Sequence, residues 1–278
     1  ANRARELAVY RQADAVMVVT SEDELALREA GIQGPSFLIP NIVPIRRERR
    51  GRQAAELLFV GGYLFAPNVD AVHWLAGEIW PRVREAVPAA KLTLIGKSPP
   101  PDVQALATQP GIDVLGYVPD TAPYLDRAAI SVAPLRFGGG MKGKVSEALA
   151  AGVPVVATSY GAQGFGATPG RHMLVAETGE AFAQAVVELL CDPSRAEAIG
   201  RAGQELVEGI CGPSAVAARV SRMIDSVVST RPARVSSPVF ALRYAGDHLR
   251  ALSKRVLSLR HAILARSSRQ EQSPATAD

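Results

Sequence analysis

Lys144 and Glu147 stand three residues apart, just after the run Gly138-Gly139-Gly140, and no other stretch groups residue types so suited to chemistry. Residues at this spacing share a helix face. On such a face a lysine can meet a phosphate while a carboxylate accepts hydrogen bonds from sugar or ribose hydroxyls. Consecutive glycines let the backbone approach a ligand and aim N–H groups at it. A helix starting directly afterwards adds the positive end of its dipole. The alternative is a surface ion pair worth about 0.2–0.5 kcal/mol, with the glycines a merely flexible loop. No G-x-G-x-x-G follows the first strand of the main domain, so a dinucleotide fingerprint is missing.

The other polar candidates read more plainly. Lys142 and Arg136 are expected in solvent, the alternative being contact with a phosphate. Asp120, behind Pro119, is expected to cap a short helix at Thr121. His73 sits beside Trp74 as a packed or surface imidazole. His172 opens a strand without an acid or cysteine beside it, and the four histidines form no metal pattern. Cys191 and Cys211 are isolated, and a reducing cytoplasm is the default for such usage.

The elements that must position this stretch are legible as an alternation. Apolar strands are predicted at 56–60, 91–95, 112–115, 129–133, 153–157 and 172–175. Helices are predicted at 68–87, 102–107, 121–126 and 141–151, then at 180–190, 194–208 and 213–228. Continuous apolar strands alternating with helices indicate a doubly wound α/β fold, a parallel sheet covered on both faces. In the common order 3-2-1-4-5-6, the ligand crevice opens between the C-terminal ends of strands one and four. The turns at Gly61-Gly62 and Gly138-Gly140 both fall there, although neither serves to choose the order. Ahead of this pattern, residues 1–45 supply two helices and two short strands, with a helix N-cap at Ser21. That is too little to close a layer.

Hydrophobic residues make up 47% and charged residues 21% of the 278, which suits a globular core. The chain carries +4, but residues 231–278 alone carry +6, leaving −2 on residues 1–230. Basic charge confined to the tail, with 5% aromatics, argues against a nucleic-acid partner. In that tail Leu242, Ala245, Leu249, Leu252, Val256, Leu259 and Ile263 alternate three and four apart. Flanked by arginines and a lysine, this 242–263 seam suits a helix partner, an anionic membrane surface or its own domain. No run reaches ~18 apolar residues, the length of a spanning helix. The start Ala1-Asn2-Arg3 carries no Met and no signal peptide, and reads as mid-protein.

Residues 1 to about 228 resemble the C-terminal half of retaining glycosyltransferases of the GT-B fold, family 4 type. The resemblance rests on Val60-Gly-Gly-Tyr-Leu-Phe-Ala-Pro-Asn-Val-Asp-Ala-Val-His-Trp74, Leu94-Ile-Gly96, Val114-Leu-Gly-Tyr-Val-Pro-Asp120, and the run from Ala133 through Lys144 and Glu147 to Thr158. Gly161-Ala-Gln-Gly-Phe165 follows in register, and Ile39-Pro-Asn-Ile-Val-Pro44 looks like the interdomain segment. The resemblance implies a Rossmann-like donor domain at 54–212, after an acceptor-domain remnant (1–45) and a linker (46–53). A closing helix (213–230) and a basic helical tail (231–278), ending in disorder, would follow.

It also implies roles. Glu147 matches the second glutamate of the family's pair and would bind the nucleotide ribose. Lys144 would meet the donor diphosphate, and both are the residues expected to matter for catalysis. Gly61 and Gly62 would line the diphosphate together with Gly138, Gly139, Gly140 and Met141, while Gly116, Tyr117 and Val118 would hold the base. Two departures stand out. The first glutamate of the pair falls at Gly139, and Gly62 and Asn68 occupy positions where many relatives carry basic residues. The implied activity is transfer from a UDP-, GDP- or dTDP-sugar to a saccharide, lipid-linked or protein acceptor, without a required cofactor or metal. The implied place is the cytoplasm or the inner face of the membrane, and this half by itself is expected to transfer little. The competing readings are a nucleotide-sugar epimerase, which would need acids or histidines near the crevice, and a non-catalytic nucleotide-binding or scaffolding module acting through 242–263.

Overall fold

The computed structural model describes residues 2–47 and 55–230. By contact the chain divides into two units, Ala1–Val227 and Val228–Asp278. Of the second unit, residues 228–230 are described, in helix. The 242–263 seam and the disordered end expected from the sequence lie outside the described residues.

The first unit opens with α1 (Asn2–Gln12), β1 (Val16–Val18), α2 (Ser21–Glu29) and β2 (Ser36–Leu38), and the two strands pair in parallel. Val16 and Val18 bury on Ile32 while Met17 between them faces out, as strand alternation requires. The N-cap of α2 is Thr20, one residue before the expected Ser21. Thr20 accepts from the Asp23 N–H at 3.1 Å and donates its own N–H to the Asp23 carboxylate at 3.2 Å. This reciprocal pair satisfies two donors that a helix start leaves open.

The segment expected as a linker is strapped down as far as Arg47. Val43 donates to the Cys211 carbonyl at 3.0 Å and Arg46 to that of Ala150 at 2.9 Å. The Arg46 guanidinium holds Asp126 at 2.9 Å and the Ala122 carbonyl at 3.0 Å. Gln204 closes the strap by donating to the Arg46 carbonyl at 2.7 Å.

From Glu56 the alternation is regular. β3 (Glu56–Val60) leads through α3 (Ala66–Trp74), a π-helical turn (Leu75–Ile79) and α4 (Trp80–Ala86) to β4 (Lys91–Ile95). Next come α5 (Pro101–Ala105), β5 (Ile112–Gly116), α6 (Ala122–Arg127) and β6 (Ile130–Ala133). The chain continues with α7 (Gly143–Ala150), β7 (Val155–Ala157), α8 (Ser159–Ala162), β8 (Leu174–Val175), α9 (Gly179–Cys191), α10 (Pro193–Cys211) and α11 (Pro213–Thr230). The six strands lie in the order β5-β4-β3-β6-β7-β8, each pair parallel. This is the expected order, with strand one at β3 and strand four at β6.

Both faces of the sheet are buried, which is why its central strands are mostly apolar, with Glu56, Thr93 and Ser131 as buried polar exceptions. Leu57 and Phe59 face a core built with Trp74, Leu75, Ile79 and Phe182, while Leu58 between them faces one built with Val145, Leu149 and Val207. Each such fully buried side chain contributes about 1.5–3 kcal/mol. Several sequence expectations shift, and the helix expected from Met141 starts at Gly143. The single helix predicted over 68–87 starts at Ala66 and is interrupted by the π turn. The last two strands shorten to Val155–Ala157 and Leu174–Val175. Apolar runs mark burial, and the pairing partner sets where the ladder ends.

Candidate functional site

The turn after β3 is a tight backbone passage. Gly61 donates its N–H to the Ile95 carbonyl at 2.8 Å. A Cβ on Gly61 would lie 2.7–2.9 Å from the side-chain atoms of Asn68, and one on Gly96 only 1.9 Å from the Gly61 carbonyl oxygen. Backbone requires glycine at Gly96, whereas a Cβ at Gly61 would have to push the Asn68 amide aside. Asn68 is buried and donates its Nδ2 to the Gly62 carbonyl at 2.8 Å. Next to it Tyr63 is buried with its hydroxyl unpartnered, and burial raises its phenol far above the usual range.

The turn after β6 is built differently. Gly138 and Gly140 take φ of 106° and 75°, a region where a Cβ meets its own backbone. Lys142, expected in solvent, is 7% exposed. Its ammonium donates to the carbonyls of Gly138, Gly139 and Gly140 at 3.1, 2.9 and 2.5 Å. Burial pushes its pKa down, and Asp23 and Glu22 pull it back up. The solvated reading fails because three carbonyls in an irregular turn need a donor and this side chain reaches all of them. Peptide planarity adds a consequence. With those carbonyls facing the ammonium, the N–H groups of Gly139, Gly140 and Met141 face away from it. Arg136 is partnered too: it donates Nε to Asp70 at 2.8 Å and lies 5.5 Å from the Trp74 ring centre. That contact holds the Asp70 carboxyl below its usual range.

Lys144 and Glu147 share a face of α7 but are not bonded to each other. Lys144 reaches across the crevice to Asn68, whose Oδ1 accepts from the ammonium. The same ammonium stands 4.4 Å from the centre of the Phe59 ring, a cation–π contact. Burial, with the neighbouring charge of Lys142, pushes Lys144 down to about 7. Glu147 is open to solvent along the crevice wall, where it accepts from the Thr121 hydroxyl at 3.4 Å. The surrounding wall still removes part of its water and raises its pKa. The surface ion-pair reading is overturned, because each charge turns to a different wall.

The far wall follows β5. Gly116, with φ of 68°, accepts the Gly96 N–H at 2.8 Å. Tyr117 is 69% exposed, and Val118 packs on the core beneath. Asp120 accepts from the Ala122 N–H at 2.9 Å, but it lies one residue ahead of Thr121, the N-cap of α6, so the expected cap shifts by one. Beside the β6 turn is a cavity of ≈ 280 Å³ bordered by Phe65, Asn68, Leu135, Gly139, Met141 and Lys142, and neither Glu147 nor the segment 116–118 lines it. Gly143 and Lys144, the first residues of α7, also border it, and the first N–H groups of a helix have no partner within it. Met141 is anchored from behind by Cys211, sulfur to sulfur at 3.6 Å.

A hollow of ≈ 340 Å³ lies elsewhere, against α1, β1 and α2, ringed by Arg3, Glu6, Tyr10 and Asp23. It receives none of the glycine turns. His73 pairs with Asp102 at 2.9 Å, and His172 accepts from the Thr168 N–H at 3.0 Å. Among the described residues no three His, Cys, Asp or Glu side chains gather as metal ligands. Nor is any described helix long and apolar enough to cross a membrane.

The structure therefore brings Gly139, Met141 and Lys144 to one cavity, links Gly61 and Gly62 to it through Asn68, and faces Glu147 across to the segment holding Gly116, Tyr117 and Val118. Sequence reasoning missed the partner roles of Asn68, Phe59, Thr121 and Lys142. The one available signal was Pro67-Asn68 at a helix start after a strand-ending glycine pair.

The family model of glycosyl transferases group 1 matches residues 54–192, half of the chain, and spans both glycine turns, Lys144 and Glu147. The chain belongs to this family. A Klebsiella pneumoniae relative, an uncharacterized 44.6 kDa protein in the cps region, is 25% identical over 185 residues, covering 62% of this chain and 46% of that one. Among solved structures, sucrose-phosphate synthase from Thermosynechococcus elongatus superposes with a TM-score of 0.66 at 21% identity, over 81% of this chain and 61% of that one. S. aureus TarM, in a complex with UDP, gives 0.68 at 16% identity over 79% and 45%. Anabaena HepE, in a complex with UDP and glucose, gives 0.62 at 14% over 79% and 64%. These likenesses show the GT-B glycosyltransferase fold. The group 1 glycosyltransferase chain thus spans about half the length of its curated relative.

Proposed function

We propose that this group 1 glycosyltransferase is of family 4 type, acts with retention, and uses residues 54–212 to hold the nucleotide-sugar donor. Lys144 and the N–H groups of the glycine turn and α7 start receive the diphosphate. Glu147 accepts from the ribose hydroxyls, and Gly116 to Val118 flank the base. Residues 1–45 would belong to the acceptor half. TarM and HepE were both captured with UDP, so a uridine diphosphate sugar is the first donor to try.

The observation that carries this reading is the Lys144 ammonium. It faces an amide oxygen and an aromatic ring at a cavity wall, beside a helix start. An ammonium so placed, without a carboxylate bonded to it among the described residues, is a receptor for an outside anion. In the transfer, the bond from the anomeric carbon to the diphosphate oxygen breaks and its electron pair stays on the diphosphate. A new bond forms from the same carbon to an acceptor hydroxyl oxygen, whose proton passes to the departing diphosphate. Preorganised N–H donors and Lys144 stabilise the charge as it develops.

Calorimetric titration of residues 1–278 with UDP, GDP, dTDP and ADP tests the reading. Binding of one nucleotide, lost in Glu147→Ala, is the expected result, and binding unchanged in that variant removes the ribose role. In the intact enzyme Lys144→Ala should lower kcat by roughly 10²–10³-fold with a smaller change in donor Kd. A loss confined to affinity would contradict a role in the chemical step.

A further inference from the structure

Asn68 stands where many relatives are expected to carry a cation, and it joins the two sides of the crevice. Its amide cannot reverse. The Gly62 carbonyl needs a donor and takes Nδ2 at 2.8 Å, so Oδ1 is left facing Lys144. Gly61 supplies the room, since a Cβ there would fall 2.7 Å from the amide carbon. Asn68 is itself buried at the start of α3, which leaves its side chain little freedom.

We infer that Asn68 is the positioning residue of this site: its oriented amide holds the Lys144 ammonium at the cavity wall without neutralising it, and so sets the pH range over which Lys144 can receive a diphosphate. The inference rests on the proposed role of Lys144. The physical reason lies in what each side chain at position 68 would do. A carboxylate would keep Lys144 charged over a wide pH range but cancel that charge for an incoming anion. An apolar side chain would leave a desolvated ammonium with only the Phe59 ring, and it would shed its proton more readily. An amide dipole attracts the ammonium and adds no net charge.

The other charged groups around Lys144 are engaged elsewhere. Glu147 on α7 accepts from Thr121, and Asp70 on α3 pairs with Arg136. The Lys142 ammonium, at the N-cap of α7, is held by glycine carbonyls and repels Lys144. Glu22 and Asp23 on α2 act on Lys142. Burial already brings Lys144 down to about 7, so the residue at 68 decides on which side of neutrality it loses its proton. Above that point a diphosphate must restore the proton as it binds.

The chain contains Lys91, Lys97, Lys142, Lys144 and Lys254, few enough for NMR of 13C-lysine-labelled protein to follow each side chain, with Lys144→Arg assigning the signal. Asn68→Asp should raise the Lys144 midpoint by roughly 1–3 pH units. Asn68→Leu should lower it, and so should Gly61→Ala, which pushes the amide aside. UDP titrations about one unit either side of neutrality should show wild-type affinity falling as pH rises, by up to about tenfold per unit, and Asn68→Asp losing that dependence. A folded Asn68→Asp with the wild-type midpoint overturns the inference. If Asn68→Leu does not fold, Asn68→Asp and Gly61→Ala carry the test in opposite directions. If none of UDP, GDP, dTDP and ADP binds the wild type or any variant, the donor reading fails, while the nucleotide-free midpoints still decide the role of Asn68.

Discussion

The glycines after β3 and those after β6 border the same crevice for opposite physical reasons. In the first turn the constraint is space: Gly61 faces the Asn68 amide, and Gly96 faces the Gly61 carbonyl from the neighbouring strand. In the second the constraint is backbone shape: Gly140 has nothing within 4 Å of a Cβ position yet takes φ of 75°. The first turn is fixed at Gly61, where the Asn68 amide fills the space, while Gly62 beside it stands open. The second holds its form because the Lys142 ammonium gathers three carbonyls. A glycine pair and a glycine triplet that look alike in sequence are thus a packed joint and a charged clasp.

Substitutions can separate the two. Gly96→Ala should have the largest effect, since its Cβ would sit 1.9 Å from a backbone oxygen with no flexible group to yield. A destabilisation of roughly 3 kcal/mol or more is expected in denaturant melts. A change below about 1 kcal/mol would mean that the joint can spread. Lys142→Met comes next, leaving carbonyls of the clasp without their donor at a cost of about 1–3 kcal/mol. Amide exchange across 138–142 should quicken while the β3 side stays protected. Removing that charge should also raise the protonation midpoint of Lys144, because Lys142 now depresses it. The smallest effects separate two adjacent glycines. Gly140→Ala should cost roughly 1–2 kcal/mol through its left-handed φ. Gly139→Ala, with open space and no such φ, should stay within about 0.5 kcal/mol. Equal costs at the two positions would show that the turn is mobile rather than clasped.

A linkage argument bears on the same lysine. Its folded pKa of about 7 lies below the usual lysine value of 10.5, so above pH 7 the unfolded chain binds more protons than the folded one. Stability contributed through Lys144 therefore rises between about pH 7 and about pH 10.5 and is flat below that window. Urea midpoints measured across it should climb in the wild type and climb less in Lys144→Leu. The same climb in both would place the effect in another group.

Much of the fold was legible because burial on both faces writes itself into sequence as unbroken apolar runs. Glu56–Val60 and Lys91–Ile95 are found with the expected bounds, and the doubly wound order puts both glycine turns at the crevice. The π turn in the long helix was not legible, since its residues keep a helical apolar pattern. Nor was the burial of Lys142, because a lysine at a glycine-rich turn is ordinarily solvated and only the folded turn presents three carbonyls to it.

By itself, then, the sequence determined the α/β class and the alternation of strands and helices, and the common doubly wound order then placed the crevice beside Lys144 and Glu147. Local propensity and the handedness of crossovers suffice for that. The tertiary structure decided what those side chains touch. Asn68 lies 76 residues from Lys144 along the chain, and no periodicity records a contact of that reach. Whether an ammonium meets a carboxylate, an amide or water depends on which strands lie side by side, and its charge state follows from that environment.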